Sequence, residues 1–140
     1  VRYIFFVSRE PWASFNSIYA YARLKKEKPS EMVALYSSEE NMSRVCKMLQ
    51  ILYDNLGWEL KIKKIKIGDS NIEALRKIMM NIISEGDIVD ITGARKLMIL
   101  SLLGIRGIRV IYLHLQDMRF SSRPFMMRPL NLQELMEVNL

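Results

Sequence analysis

Two hydrophobic patterns alternate along the chain. Short, largely apolar runs bounded by polar turns, such as Tyr3–Val7, Glu31–Tyr36 and Ile108–Leu115, predict strands. Between them, apolar residues recur at helical spacing. Residues 14–26 set Phe15, Ile18, Tyr19 and Ala22 on one face, with Ser14 as the expected cap and Lys28-Pro29-Ser30 as the stop. The next helix carries Met42, Val45, Leu49, Leu52 and Leu56, opened by a capping box of Ser37 and Glu40 and closed by Gly57. Trp58–Ile67 is strand-like, with Lys61, Lys63, Lys64 and Lys66 among isoleucines. A second capping box, Ser70 with Glu73, opens a helix that turns Ile72, Leu75, Met79 and Ile82 inward and stops at Gly86. A fourth strand over 87–91 feeds a helix at 94–103, and Gly104 and Gly107 lead into the fifth strand.

This cadence predicts an α/β fold, a Rossmann-like parallel sheet with helices on both faces, in a single domain over residues 1–140. After Gln116 the alternation lapses. Ser121, Ser122 and Pro124 mark a hinge, Phe125–Met127 is a short apolar piece, and 131–138 has helical character. The stretch 116–140 therefore reads as an antiparallel hairpin or a dimerisation arm. With strand order 3-2-1-4-5, the order reverses between strands one and four, and ligands of doubly wound sheets bind at that point. The loops that meet there are Ser8–Ser14 and Thr92–Lys96, the most polar strand ends in the chain.

Composition narrows the picture without choosing a function. The 140 residues are 50% hydrophobic and 26% charged, as expected of a globular domain. The apolar stretch Leu97–Ile105, broken by Ser101 and Gly104, is far shorter than the roughly 20 residues a membrane span needs. No basic segment precedes an apolar one at the start, so a soluble, cytoplasmic protein is expected, with no membrane partner. A single cysteine, Cys46, excludes an internal disulfide and a thiolate metal cluster. The net charge of +6 suits an anionic partner but equally suits plain solubility. Neither Gly-x-Gly-x-x-Gly after the first strand nor Gly-x-x-x-x-Gly-Lys-Ser/Thr occurs, which disfavours dinucleotide dehydrogenases and P-loop NTPases.

The chemistry concentrates in Asp87-Ile88-Val89-Asp90-Ile91-Thr92-Gly93-Ala94-Arg95-Lys96-Leu97-Met98. A β-branched run ends in Asp-x-Thr-Gly, two cations follow, and a helix begins. Backbone N–H groups and the helix dipole at such a turn attract an anion, so it reads as a phosphate site. Cations are unfavourable at the positive end of a helix, which argues that Arg95 and Lys96 serve a ligand. Thr92 also suits a helix N-cap, and Asp90, inside a buried run, suits a role in holding the loop.

With Asp90-x-Thr92-Gly93-x-x-Lys96, the polar loop after the first strand and the helix–strand cadence, the chain resembles a CARF domain, the CRISPR-associated Rossmann fold, from the first strand to about residue 128. The usual family pattern is Asp-x-Thr/Ser-Gly-Gly-Thr-Lys; here Ala94 replaces the second glycine and Arg95 the threonine. The resemblance implies a homodimer that binds a cyclic oligoadenylate, a tetra- or hexaadenylate ring and second messenger of type III CRISPR defence, across its twofold axis. Some members of that family, the ring nucleases, also cleave the ring without metal or cofactor, by attack of a ribose 2′-hydroxyl on the adjacent phosphate, and this is the activity expected first of the present chain. On that reading Ser8, Arg9, Trp12, Thr92, Gly93, Ala94, Arg95 and Lys96 bind the ligand. Lys96 stabilises charge on the phosphate, Ser8 hydrogen-bonds the phosphate or orients the 2′-hydroxyl, and Trp12 either stacks on an adenine or belongs to the core or an interface.

Two other readings stay open: a sensor or sink that binds the ring without cleaving it, and a nucleic-acid-binding regulator using the basic surface. The lysines at 61–66 invite the second of these, but strand three is the expected sheet edge, and edge lysines serve to block edge-to-edge aggregation. Met79-Met80 and Met126-Met127 read as core or interface filler. Arg109 and His114 have the spacing of a HEPN ribonuclease signature, but the strand between them turns the two residues to opposite faces.

Overall fold

The apolar runs become strands because both of their faces are covered, and the amphipathic segments supply the cover. The computed structural model describes residues 1–68, 71–128 and 130–138. In chain order the elements are β1 (Arg2–Phe6), α1 (Pro11–Leu24), β2 (Glu31–Tyr36), α2 (Glu39–Leu56), β3 (Ile62–Lys66), α3 (Ile72–Ile82), β4 (Ile88–Asp90), α4 (Lys96–Ser101), β5 (Arg109–Leu115) and β6 (Gln133–Val138). The sheet order is β3-β2-β1-β4-β5-β6. The first five strands pair in parallel, and β6 runs antiparallel to β5.

Alternate residues of each strand face opposite layers. Tyr3, Phe5, Met32, Ala34 and Ile111 pack under α1 and α2 with Ile18, Tyr21, Val45 and Leu49. Ile4, Phe6, Val33, Leu35, Val89 and Val110 pack under α3 and α4 with Leu75, Met79, Met98 and Leu102. The predicted fold class and central strand order hold. At the amino-terminal edge of the sheet Arg2 and Asp87 form a bidentate pair, with Nη2–Oδ2 2.6 Å and Nε–Oδ1 3.1 Å, that ties β1 to the start of β4.

The ends of elements depart from expectation for local reasons. Helix α1 starts three residues before Ser14: Pro11 takes the first helical position and the Glu10 carboxylate accepts from the Trp12 N–H. Ser14 lies inside the helix instead. The cap of α2 is Ser38, whose hydroxyl accepts from Asn41 N, one residue after the expected Ser37. Ser70 of the second capping box lies outside the described residues. Asn71 caps α3, accepting from the N–H groups of Glu73 and Ala74. Helix α4 spans only Lys96–Ser101 rather than 94–103.

The largest correction is at 131–138, where the expected helix is strand β6. Leu135 sits opposite Leu113 and Val138 opposite Val110. The open edge of β5 supplies a full ladder of backbone partners, and that outweighs a weak helical preference in six residues. The antiparallel hairpin expected for the tail is therefore present, joined by the 116–132 connection with short 3-10 turns at Met118–Phe120, Phe125–Met127 and Leu130–Leu132. Buried Asn16 of α1 holds that connection, donating to Arg123 O at 2.8 Å and accepting from Phe125 N at 2.7 Å.

Candidate functional site

Three loops at the carboxyl ends of β1, β2 and β4 enclose a cleft of about 840 Å³. Val7, Ser8, Arg9 and Glu10 line it from β1, Ser37, Ser38, Glu40 and Asn41 from β2 and α2, and Thr92, Gly93, Ala94 and Arg95 from β4. This is the place where the strand order reverses, between β1 and β4.

Asp90 shapes the β4 side. It is 1% exposed, and its Oδ2 accepts from the Tyr3 hydroxyl at 2.7 Å and from the Ser17 hydroxyl. Its Oδ1 accepts from the Thr92 N–H at 2.9 Å and the Thr92 hydroxyl at 2.6 Å. Burial pushes the Asp90 carboxyl above its ordinary range, against the pull of those hydrogen bonds toward the charged form. Burial, with Asp90 beside it, likewise holds the Tyr3 phenol protonated well above the usual tyrosine value.

Thr92 completes the brace. Its Oγ1 accepts from Leu113 N at 3.0 Å, tying the β4 loop to β5. Thr92 is thus no helix cap; Arg95 occupies that position in α4, without a side-chain capping bond. Gly93 touches the end of β1 so closely that a Cβ there would lie 2.4 Å from Phe6 O and 3.0 Å from Ser14 Oγ. The same Phe6 carbonyl accepts from Ser14 Oγ at 2.8 Å. Glycine at 93 and a small hydroxyl residue at 14 therefore let the β1 and β4 loops meet.

The turn offers fewer open N–H groups than a phosphate cradle was expected to have. Thr92 N is bound to Asp90, and Ala94 N donates to Ile91 O at 3.0 Å. The six-residue α4 also brings a shorter dipole than the predicted helix. The α1 end of the cleft is occupied too, since Glu10 already caps that helix.

Of the residues singled out in the sequence, Ser8, Arg9, Thr92, Gly93, Ala94 and Arg95 line this one cleft. Ser8 Oγ donates to Glu10 O at 2.8 Å, which leaves its lone pairs to accept. Arg9 is exposed at the mouth, with no hydrogen-bond or ion-pair partner among the described residues. Lys96 is exposed at the first position of α4, outside the lining. Trp12 is also outside it, half-buried and edge-on to Phe15 with ring centres 5.6 Å apart. Phe15 stacks in turn on Tyr19, and Tyr19 packs against Phe125.

The β2 side was missed. Ser37 and Glu40 stood out only as a capping box, whereas the structure puts both on the cleft wall with Ser38 and Asn41. The charged residues of the lining are consequently balanced: Arg9 and Arg95 against Glu10 and Glu40, the last bound to Arg44 at 2.8 Å. No three His, Cys, Asp or Glu side chains converge on a metal-sized point among the described residues. Arg109 and His114 do lie on opposite faces of β5, Arg109 paired with Glu137 at 2.7 Å and His114 beside Tyr112. No described helix is long and apolar enough to cross a membrane.

No family model matches the chain, and no curated protein matches it in sequence. Among solved structures, its fold is similar to that of Can2 from Sulfobacillus thermosulfidooxidans in complex with cyclic tetra-adenylate, with a TM-score of 0.60 and 18% identity. The match covers 84% of this chain and 32% of that one, so this chain spans about a third of that protein's length. The described sheet and its helices are thus an arrangement shared with a protein solved with cyclic tetra-adenylate bound.

Proposed function

We propose that this chain binds a cyclic oligoadenylate in the cleft at the carboxyl ends of β1, β2 and β4, as one half of a twofold pair of CARF type. The observation that carries the reading is the meeting of the two most polar strand-end loops at the switch point. The fold shared with a protein solved with cyclic tetra-adenylate supports it. A cleft of about 840 Å³ suits a ligand of drug size. A ring of four or six nucleotides exceeds that and has a twofold axis of its own. Two copies facing each other match both its size and its symmetry. Arg9 and Arg95 reach the phosphates from opposite loops, Ser8 accepts from a ribose hydroxyl, and Lys96 adds charge at the rim, where the ring passes between copies.

The same arrangement permits cleavage. A ribose 2′-oxygen attacks the adjacent phosphorus and gives up its proton, the 5′-oxygen leaves and takes one up, and a 2′,3′-cyclic phosphate remains. Alignment of the 2′-oxygen with the leaving oxygen and cationic donors on the phosphorane are what the reaction asks of the protein. The two arginines favour this second reading, whereas the Ser8 proton held by Glu10 O and the position of Lys96 outside the lining favour binding alone.

The test is incubation with labelled cyclic tetra- and hexaadenylate in EDTA, resolved by chromatography. An intact ring that co-elutes with the protein establishes a sensor or sink. Linear products ending in 2′,3′-cyclic phosphate establish a ring nuclease, and Lys96→Ala should then lower turnover at least tenfold while some binding persists. Neither retention nor cleavage would remove the proposal.

A further inference from the structure

On the β2 side of the cleft, two polar side chains, the Ser37 hydroxyl and the Asn41 carboxamide, are used by neither the loop architecture nor helix capping among the described residues, and only the carboxamide presents a separate donor and acceptor. Asn41 lines the cleft, half-buried, at the third position of α2. Its backbone N–H is satisfied by Ser38 Oγ at 3.3 Å, while its side-chain amide has no hydrogen-bond partner among the described residues. Its neighbours differ. Glu40 is engaged with Arg44, Ser38 with Asn41 N, and Glu10 with Trp12 N. Helical Cα–Cβ bonds tilt toward the helix N-terminus, and the N-terminus of α2 opens on the cleft, so the amide leans into it.

A carboxamide offers a donor and an acceptor side by side. That pair is complementary to the N7 acceptor and N6 amino donor of adenine, and it mismatches the two adjacent acceptors, N7 and O6, of a 6-oxopurine. The arginines serve phosphate without regard to the base. Reading the N6/N7 edge takes a donor and an acceptor at the spacing of a carboxamide, and Asn41 is placed to supply them. Resting on the proposed nucleotide-ring site, we infer that Asn41 is the residue that selects adenine there, by a bidentate pair with N6 and N7.

The experiment compares the dissociation constants of cyclic tetra-adenylate and cyclic tetra-inosinate, for the parent chain and for Asn41→Ala of matching melting temperature. The parent should prefer the adenylate ring by at least about 30-fold, because each of the two copies of Asn41 on a shared ring contributes the roughly fivefold or more expected of a good bidentate pair. In Asn41→Ala the two constants should fall within about twofold of each other, chiefly because the adenylate ring binds more weakly. Equal binding of both rings by the parent, a preference for inosinate, or an unchanged preference in the variant overturns the inference and leaves the ring site standing. Loss of both rings in the variant also overturns it, making Asn41 an affinity residue rather than a selective one. If the parent binds neither ring, the ring site itself fails.

Discussion

Asp90 and Gly93 determine the shape of the cleft more than any cation on its wall does. The Asp90 carboxylate accepts from three hydroxyls and one N–H, so exchanging it for asparagine puts a donor where acceptors are needed. Asp90→Asn should cost about 1–3 kcal/mol, read by urea unfolding, because a buried hydroxyl is left without its partner. The pH dependence has a definite sign. The folded chain holds the Asp90 proton more tightly than the unfolded chain, whose carboxyl titrates near its ordinary 3.8. The resulting stabilisation is fully present below that value and is lost as pH rises through the higher, folded value. The deficit of the variant should therefore be widest in acid and narrow toward neutral pH; a deficit that widens instead would reverse this assignment. At Gly93 an added methyl group meets Phe6 O at 2.4 Å, a backbone atom that cannot step aside. Gly93→Ala should lower stability by about 1–3 kcal/mol and weaken ring binding together, since the loops must part. Unchanged stability in that variant would show that the close approach is not needed.

Element boundaries reveal what local sequence could and could not convey. The strands β1, β2 and β5 were legible because each holds at least four apolar residues in succession between polar turns, and α2 because Met42, Val45, Leu49 and Leu52 keep helical spacing. Caps were off by one to four residues, since serines cluster at 37–38 and a Glu-Pro pair outcompetes Ser14. Strand β6 was illegible as a strand, because the edge of β5 that recruits it lies far away in sequence. The β4 loop was legible through its Asp-x-Thr-Gly. The β2 wall was not, because a capping serine and a cleft-lining serine look alike until the helix is placed. One boundary carries strain: Lys26, just past the end of α1, has φ +52°, a left-handed conformation better suited to glycine. Lys26→Gly should raise stability by about 1 kcal/mol, seen as a higher thermal midpoint. A lower midpoint would mean that the lysine side chain stabilises the helix end by more than its backbone costs.

At the scale of the whole molecule, two edges and one cleft divide the surface. The β3 edge carries Lys63, Lys64 and Lys66, all exposed, as expected of an edge that must not recruit further strands. The opposite edge is β6, which pairs along β5 from Gln133 to Val138. The surplus of +6 is therefore spread partly along an edge with a structural use, and the cleft itself is balanced in charge. Affinity for a phosphate ring must come from the placement of Arg9 and Arg95 rather than from a general positive field, which predicts weak salt dependence compared with a protein that binds duplex DNA. The most direct test of this account is a calorimetric titration of the chain with cyclic tetra-adenylate, repeated with Arg9→Ala combined with Arg95→Ala. Saturation at one ring per two chains, with binding lost in the double variant, is the result expected of a ring shared between two clefts. Saturation at one ring per chain, or full affinity without the two arginines, would contradict it.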